Sequence, residues 1–274
     1  MSSFRMQLLY LILKIPAILI AFTAQGYAKA LVADKLGDKT PRFQGRLTLN
    51  PAAHIDLIGF IMILIAGFGW TKPLNTNPSA YKRGYKDAIK VSIAAPLANL
   101  FVGFIGIILL VFTSKFLSSI LPETIFFILF YMLKFITSIN ISLFVFNLLP
   151  IYPLDGSKII LLLLSLFKDY YQAIKLQIKI SLLSLSILIV LYNEMSYLLV
   201  YFYLLYANYE YVKEFRFMII RLFLKRLDGN DYKRYKINKK ICFYRPYNNI
   251  YVIDGYTFKE NQMLKKLIKN LKTN

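Results

Sequence analysis

The sequence predicts an all-α polytopic integral membrane protein, and three observations predict it. Of its 274 residues 57% are hydrophobic, with a mean hydropathy of +0.51; soluble domains carry roughly 45–50% apolar residues. Several apolar runs reach or approach the roughly 20 residues that a helix needs to cross the hydrocarbon core. The formal charge of +20 is gathered between and after those runs, which points to an anionic membrane surface rather than to nucleic acid. Disorder is excluded by the high hydrophobicity. One cysteine (Cys242) and one histidine (His54) exclude an intrachain disulfide and a Cys/His zinc cluster.

The elements follow in order. Leu8 to about Val32 is long enough to span, although Gln25, Gly26 and Lys29 make one side of its second half polar. Arg5 and the small residues near Ala24 imitate a secretory signal. Lys14 and Pro16 interrupt the apolar stretch, however, and Phe22-Thr23-Ala24 is a poor cleavage site, so the segment is read as a retained helix. Leu57 to Trp70 is too short for a full span and reads as a half-span or re-entrant segment. Val91 to Phe112 and Ile125 to Leu149 are firm spans, Ile159 to Phe167 is too short alone, and Ile178 to Tyr206 is read as one ample span. A short membrane-associated β segment is expected around Phe43 to Leu49.

Lys and Arg set the topology. The loop from Thr71 to Lys90 carries Lys72, Lys82, Arg83, Lys86 and Lys90 against Asp87, and is expected in the cytoplasm. Residues 1–212 form the transmembrane domain. Residues 213–274 form a cytoplasmic tail with 16 Lys/Arg and 5 Asp/Glu, a net of +11. Lys213 to Leu227 and Glu260 to Leu271 alternate apolar and basic residues at helical spacing, as helices lying on an anionic leaflet do. Ile241 to Tyr244 and Ile250 to Ile253 flank Asn248-Asn249 as a small hairpin would. A solvated tail that only helps orientation is an equal reading; RNA binding lacks any recognition motif.

Three stretches can assemble an intramembrane polar site. In Ala24-Gln25-Gly26-Tyr27-Ala28-Lys29-Ala30, Gln25 and Lys29 are four residues apart and share a helix face, and a lysine in the span must face protein or a cavity. The prolines and glycine of the Asn147 to Gly156 segment break the third firm span. Non-helical backbone at membrane depth is tolerated where protein buries it or it lines a cavity; Asp155 sits at that break. Ala95-Pro96-Leu97-Ala98-Asn99 adds an amide to another span. Singly, Asn99 and Asn147 are interhelical glue, Lys29 snorkels and Asp155 is a turn residue; together with a broken helix, they favour a polar site.

These residues carry a resemblance. From about Ala21 to Gly156 the chain resembles the short bacterial branch of the site-2 protease family, intramembrane zinc metalloproteases. It does so through Lys35-Leu36-Gly37-Asp38, the run Gln44 to Pro51, His54-Ile55-Asp56, the run Gly67 to Pro73, Asn77-Pro78, Pro96 to Asn99 and the Asn147 to Gly156 segment. The resemblance implies a three-helix core with extra helices. It also implies a zinc near the cytoplasmic side, held by two histidines of an HExxH helix and the aspartate of an LDG segment. Counting back from Leu36-Gly37-Asp38, the HExxH positions are Gln25, Gly26, Tyr27, Ala28 and Lys29. Both histidine ligands and the general-base glutamate are absent, and Asp155 is the one ligand retained. His54 lies outside the motif.

The reading is therefore a multi-pass cell-membrane protein of this family without catalytic residues and without a cofactor. A buried Lys29–Asp155 ion pair replaces the metal, with Gln25 hydrogen-bonding nearby and Asn99, Asn147 and His54 as further polar cleft residues. Its partners are the anionic leaflet, through the tail, and transmembrane segments of other proteins. Two alternatives stand beside it: an active zinc protease, and a small transporter, which the broken helix favours but the lack of inverted repeats does not.

Overall fold

A computed structural model describes residues 3–66, 69–77, 80–168, 170–191 and 198–227. Within them the chain forms eight α-helices: α1 (Ser3–Lys35), α2 (Thr40–Phe43), α3 (Leu57–Ala66), α4 (Tyr85–Phe112), α5 (Glu123–Leu148), α6 (Asp155–Phe167), α7 (Tyr170–Leu191) and α8 (Leu198–Leu227). A π-helical turn, Thr113–Leu117, extends α4. Four helices are long and apolar enough to cross a membrane: Phe4–Lys35, Tyr85–Leu117, Glu123–Leu148 and Gln172–Leu191. Their outer surface keeps large apolar side chains exposed, among them Phe101, Phe104, Ile108 and Ile187, as a lipid solvent permits.

The core is the mutual packing of α1, α4 and α5. Apolar burial does not hold helices together in lipid, so close approach and hydrogen bonds must. Gly103 and Gly106 of α4 meet α5 where a Cβ would lie 2.6 Å from Ile141 Cδ1 and 2.5 Å from Thr137 Oγ1. α6 packs on α4 and α7, with Leu162 buried among Ala33, Tyr81, Ala88 and Val91. At the end of α1, Asp34 accepts bonds from Arg42 and Lys39, and Asp38 accepts from the amides of Thr40 and Asn77.

Two expectations are corrected. Phe43 to Leu49 is not a β segment: α2 ends in a turn there, with the Gln44, Gly45 and Arg46 amides donating to the carbonyls of Thr40, Arg42 and Pro41. Gly45, at φ +67°, supplies the left-handed residue that ends the helix. These local bonds consume the amides that a strand would offer, and the one β-bridge among the described residues joins Ile55 to Thr71.

Ile178 to Tyr206, in turn, is not one span. It belongs to α7 and α8, which pack antiparallel: Leu185 is buried against Val200, Tyr201 and Leu204, and the Tyr201 hydroxyl donates to the Leu188 carbonyl. Asn193 and Glu194 fall between the two helices in the sequence. Contacts of α7 and α8 also complete the α5–α6 break. The Tyr152 amide donates to Ser181 Oγ at 2.8 Å, Asn208 Nδ2 donates to the Tyr152 carbonyl at 2.8 Å, and Ser181 Oγ donates to Asn208 Oδ1 at 2.6 Å. The broken backbone is thus buried and hydrogen-bonded by protein, as a bilayer demands.

Of the two short apolar runs, residues 57–66 of the first form α3, of 10 residues, and residues 159–167 lie in α6, of 13. α8 continues without a break across positions 212 and 213, where the tail was expected to begin, because Lys, Arg and Glu are as good helix formers as the apolar residues before them. The hairpin expected at 241–253, the helix at 260–271 and Cys242 lie outside the described residues.

Candidate functional site

α1 brings Gln25, Gly26 and Lys29 to a cavity of about 260 Å³ that Asn147, Asp155, Lys158 and His54 also line. Asp155 opens α6, where the helix N-terminus favours a carboxylate. Gly156 has no room for a side chain, since a Cβ there would overlap the Leu148 carbonyl. Only glycine lets the first turn of α6 approach the end of α5 and present Asp155 to the cavity.

Lys29 Nζ donates to Asp155 Oδ1 across 126 positions of sequence. The two side chains are 17% and 12% exposed. Lys158, one turn along α6, brings a second ammonium to 3.7 Å from the same oxygen. Gln25 does not join this pair: its Oε1 accepts from Asn99 Nδ2 at 2.9 Å and from Asn147 Nδ2 at 3.3 Å, tying α1 to α4 and α5. Asn99 is fully buried, and its Oδ1 has no partner among the described residues.

His54 is 1% exposed, and its Nε2 lies 2.7 Å from the Thr48 carbonyl. A carbonyl only accepts, so Nε2 carries the proton and Nδ1 is left unprotonated. The imidazole fills the space beside Gly26, where a Cβ would overlap it. Burial pushes its pKa below the ordinary 6.5 and keeps the ring neutral. His54 therefore occupies the room that a side chain at position 26 would need.

Two loops roof the cavity. Arg46, 5% exposed, donates to the carbonyls of Ala53 and, at 2.7 Å, Pro73, while the Lys72 amide donates to the His54 carbonyl at 2.9 Å. Trp70 stacks on Tyr203 of α8 with ring centroids 5.1 Å apart. Lys158 and Arg46 were not singled out from the sequence. Lys158 had a usable signal, since a residue three after Asp155 on one helix shares its face; Arg46 had none, because its role rests on a loop-to-loop contact.

The zinc that the resemblance implies finds no suitable donor set in these residues. The Asp155 carboxylate is engaged by Lys29, Gln25 Oε1 already accepts two amide hydrogens, Gly26 has no side chain, and His54 offers a single free nitrogen, Nδ1, which packs against Gly26. Among the described residues no three His, Cys, Asp or Glu side chains are placed to share one metal ion.

Comparison with known proteins places the chain. The sequence model for Peptidase family M50 matches residues 57–191. A protein of Bacillus subtilis (strain 168) named "Putative zinc metalloprotease YwhC" is 43% identical over 148 residues, 52% of this chain and 65% of that protein. Stage IV sporulation protein FB of the same organism is 28% identical over 154 residues, 54% of this chain and 49% of that protein. The match thus spans less than two thirds of the length of either relative. With the family model, both relatives and the helical membrane fold in agreement, this chain belongs to peptidase family M50, the site-2 protease family.

Proposed function

We propose that this chain is a non-hydrolytic member of its family whose cleft binds transmembrane segments of partner proteins. The observation that carries the reading is the Lys29–Asp155 ion pair, in which the second histidine position of the motif supplies a cation to the one acidic ligand left. Lys29 and Lys158 against Asp155 leave one net positive charge. A divalent ion held by one carboxylate and two neutral imidazoles leaves the same. The cleft keeps an electropositive centre that can face the carbonyl groups of an unwound transmembrane segment, while the general-base position is Gly26 with His54 packed on it.

The basic loop of residues 71–90 and the chain beyond residue 212 lie in the cytoplasm on this reading, with the tail against the anionic leaflet. The antiparallel packing of α7 and α8 supports it, since it returns the basic half of α8 toward the side where α6 and α7 meet. The second reading, a working zinc metalloprotease in the cell membrane, is favoured by the printed name of the 43% identical relative.

Metal analysis of the purified full chain, combined with a cleavage assay on a single-span reporter, separates the two. Substoichiometric zinc, no cleavage, and reporter capture that weakens in Asp155→Ala support the proposal. Stoichiometric zinc with cleavage lost in Asp155→Ala overturns it in favour of the protease.

A further inference from the structure

A second cavity, of about 330 Å³, lies between α1 and α5, away from the cleft. Tyr10, Lys14, Tyr131, Lys134 and Phe135 line it. Its walls are aromatic: Tyr10 stands 5.0 Å from Tyr131 and edge-on to Phe135 at 5.9 Å between ring centroids. Two ammonium groups flank those rings. Lys14 Nζ is 5.6 Å from the centroid of Phe135, and Lys134 Nζ is 5.5 Å from that of Tyr131. Both lysines belong to helices long and apolar enough to cross a membrane, and neither has a carboxylate partner among the described residues. Two like charges on one intramembrane groove, offset only by ring faces, are costly and mark a site for an anion.

The depth of the groove narrows the source of that anion. Lys14 precedes Lys29 by fifteen residues and Lys134 precedes Asn147 by thirteen, so the groove lies about 20 Å along α1 and α5 from the cleft. In a hydrocarbon core about 30 Å thick, that is the opposite half of the bilayer. Helical side chains lean toward the N-terminus, which carries both ammoniums farther from the cleft and toward the headgroups of that leaflet. Lys134 is exposed on the outer surface of α5, so the groove opens to lipid. Leu11 and Ile128, three residues before Lys14 and Tyr131 and on the same faces, are 37% and 40% exposed and offer carbon surface to an acyl chain.

We propose that this groove binds the phosphate of an acidic phospholipid from the leaflet opposite the cleft, with Lys14 and Lys134 supplying the charge and Tyr10, Tyr131 and Phe135 the walls. Basic pockets between transmembrane helices hold headgroup phosphates on the cytoplasmic side, and two ammoniums beside ring faces offer the same charge chemistry to the other leaflet. The inference does not depend on whether the cleft hydrolyses anything.

Native mass spectrometry of the full chain in mild detergent, with phosphatidylglycerol or phosphatidylcholine added, tests it. The charges of the tail are the same in the natural chain and in its Lys14 and Lys134 variants, so any lipid held by the tail cancels in the comparison. The expected result is one phosphatidylglycerol retained about tenfold better than phosphatidylcholine, a preference of about 1.4 kcal/mol. Lys14→Gln/Lys134→Gln should abolish that preference, and Lys14→Arg/Lys134→Arg, which keeps both charges, should preserve it. Equal retention of the two lipids by the natural chain overturns the proposal, as does an undiminished preference in the glutamine variant. Co-purification of a second membrane protein in place of lipid, lost in the glutamine variant, would assign the groove to a partner's carboxylate and also overturn it.

Discussion

Replacing Asp155 by alanine should destabilise the fold far more than replacing Lys29 by methionine, although the two side chains form one ion pair. Removing one partner from a buried pair costs about 3–5 kcal/mol, because it strands the other charge. In Asp155→Ala the stranded groups are two: the Lys29 ammonium, 17% exposed, and Lys158, whose Nζ lies 3.7 Å from the lost oxygen. Partial exposure places the expected loss near the lower end of that range, at about 3 kcal/mol. In Lys29→Met the carboxylate keeps Lys158, which is 49% exposed and free to move inward, so the loss should be about 1.5 kcal/mol, the scale of one charge-assisted hydrogen bond. The double variant Lys29→Met/Asp155→Leu removes both buried charges and should return to within about 1 kcal/mol of the natural chain. Reversible unfolding in mixed micelles reads these differences through the fluorescence of Trp70, the single tryptophan, which borders the cleft and stacks on Tyr203. Equal losses in the two single variants, or a double variant as unstable as Asp155→Ala, would refute the account of the site as one carboxylate between two lysines.

Other outcomes follow from the roof of the cleft. Gly26→Ala should cost about 1–3 kcal/mol as an overpacked site, because its Cβ overlaps the His54 ring. The same substitution should cost nothing further in a His54→Ala background; an undiminished cost there would show that another neighbour crowds Gly26. His54 also predicts a pH dependence. Its folded pKa is below 6.5 through burial, so the unfolded chain takes up the proton first. Its contribution to stability is full above about pH 6.5 and lost as the pH falls through the folded value. Unfolding midpoints between pH 8 and pH 5 should fall more steeply for the natural chain than for His54→Gln, and parallel curves would rule out a neutral buried histidine.

Much of the site was legible before any contact was known, for identifiable reasons. Gln25 and Lys29 share one face of a helix by their spacing, and the family resemblance of the motifs around them implies that they stand where ligands are missing. The proline- and glycine-rich stretch ending at Asp155-Gly156 declares the break that brings a carboxylate to that helix. Less was legible where a turn decided the outcome. The apolar run from Ile178 to Tyr206 passed for one span because Asn193 and Glu194 are a weak interruption, and Phe43 to Leu49 passed for a strand because a single glycine, Gly45, ends α2 just there.

Composition and apolar run length along the chain determined that this is a helical membrane protein, and the resemblance carried by its motifs implied its family, the loss of the HExxH residues and the retention of Asp155, since each is read from order along one strand of sequence. Only the tertiary structure decided what surrounds that carboxylate. Lys29 reaches Asp155 from α1, opposite the Lys158 of Asp155's own helix, Gln25 turns away to Asn99 and Asn147, and a loop histidine takes the room beside Gly26. The physical reason is that a charge or a void inside a membrane is answered by whichever group can reach it, and reach is set by helix packing rather than by position in the chain.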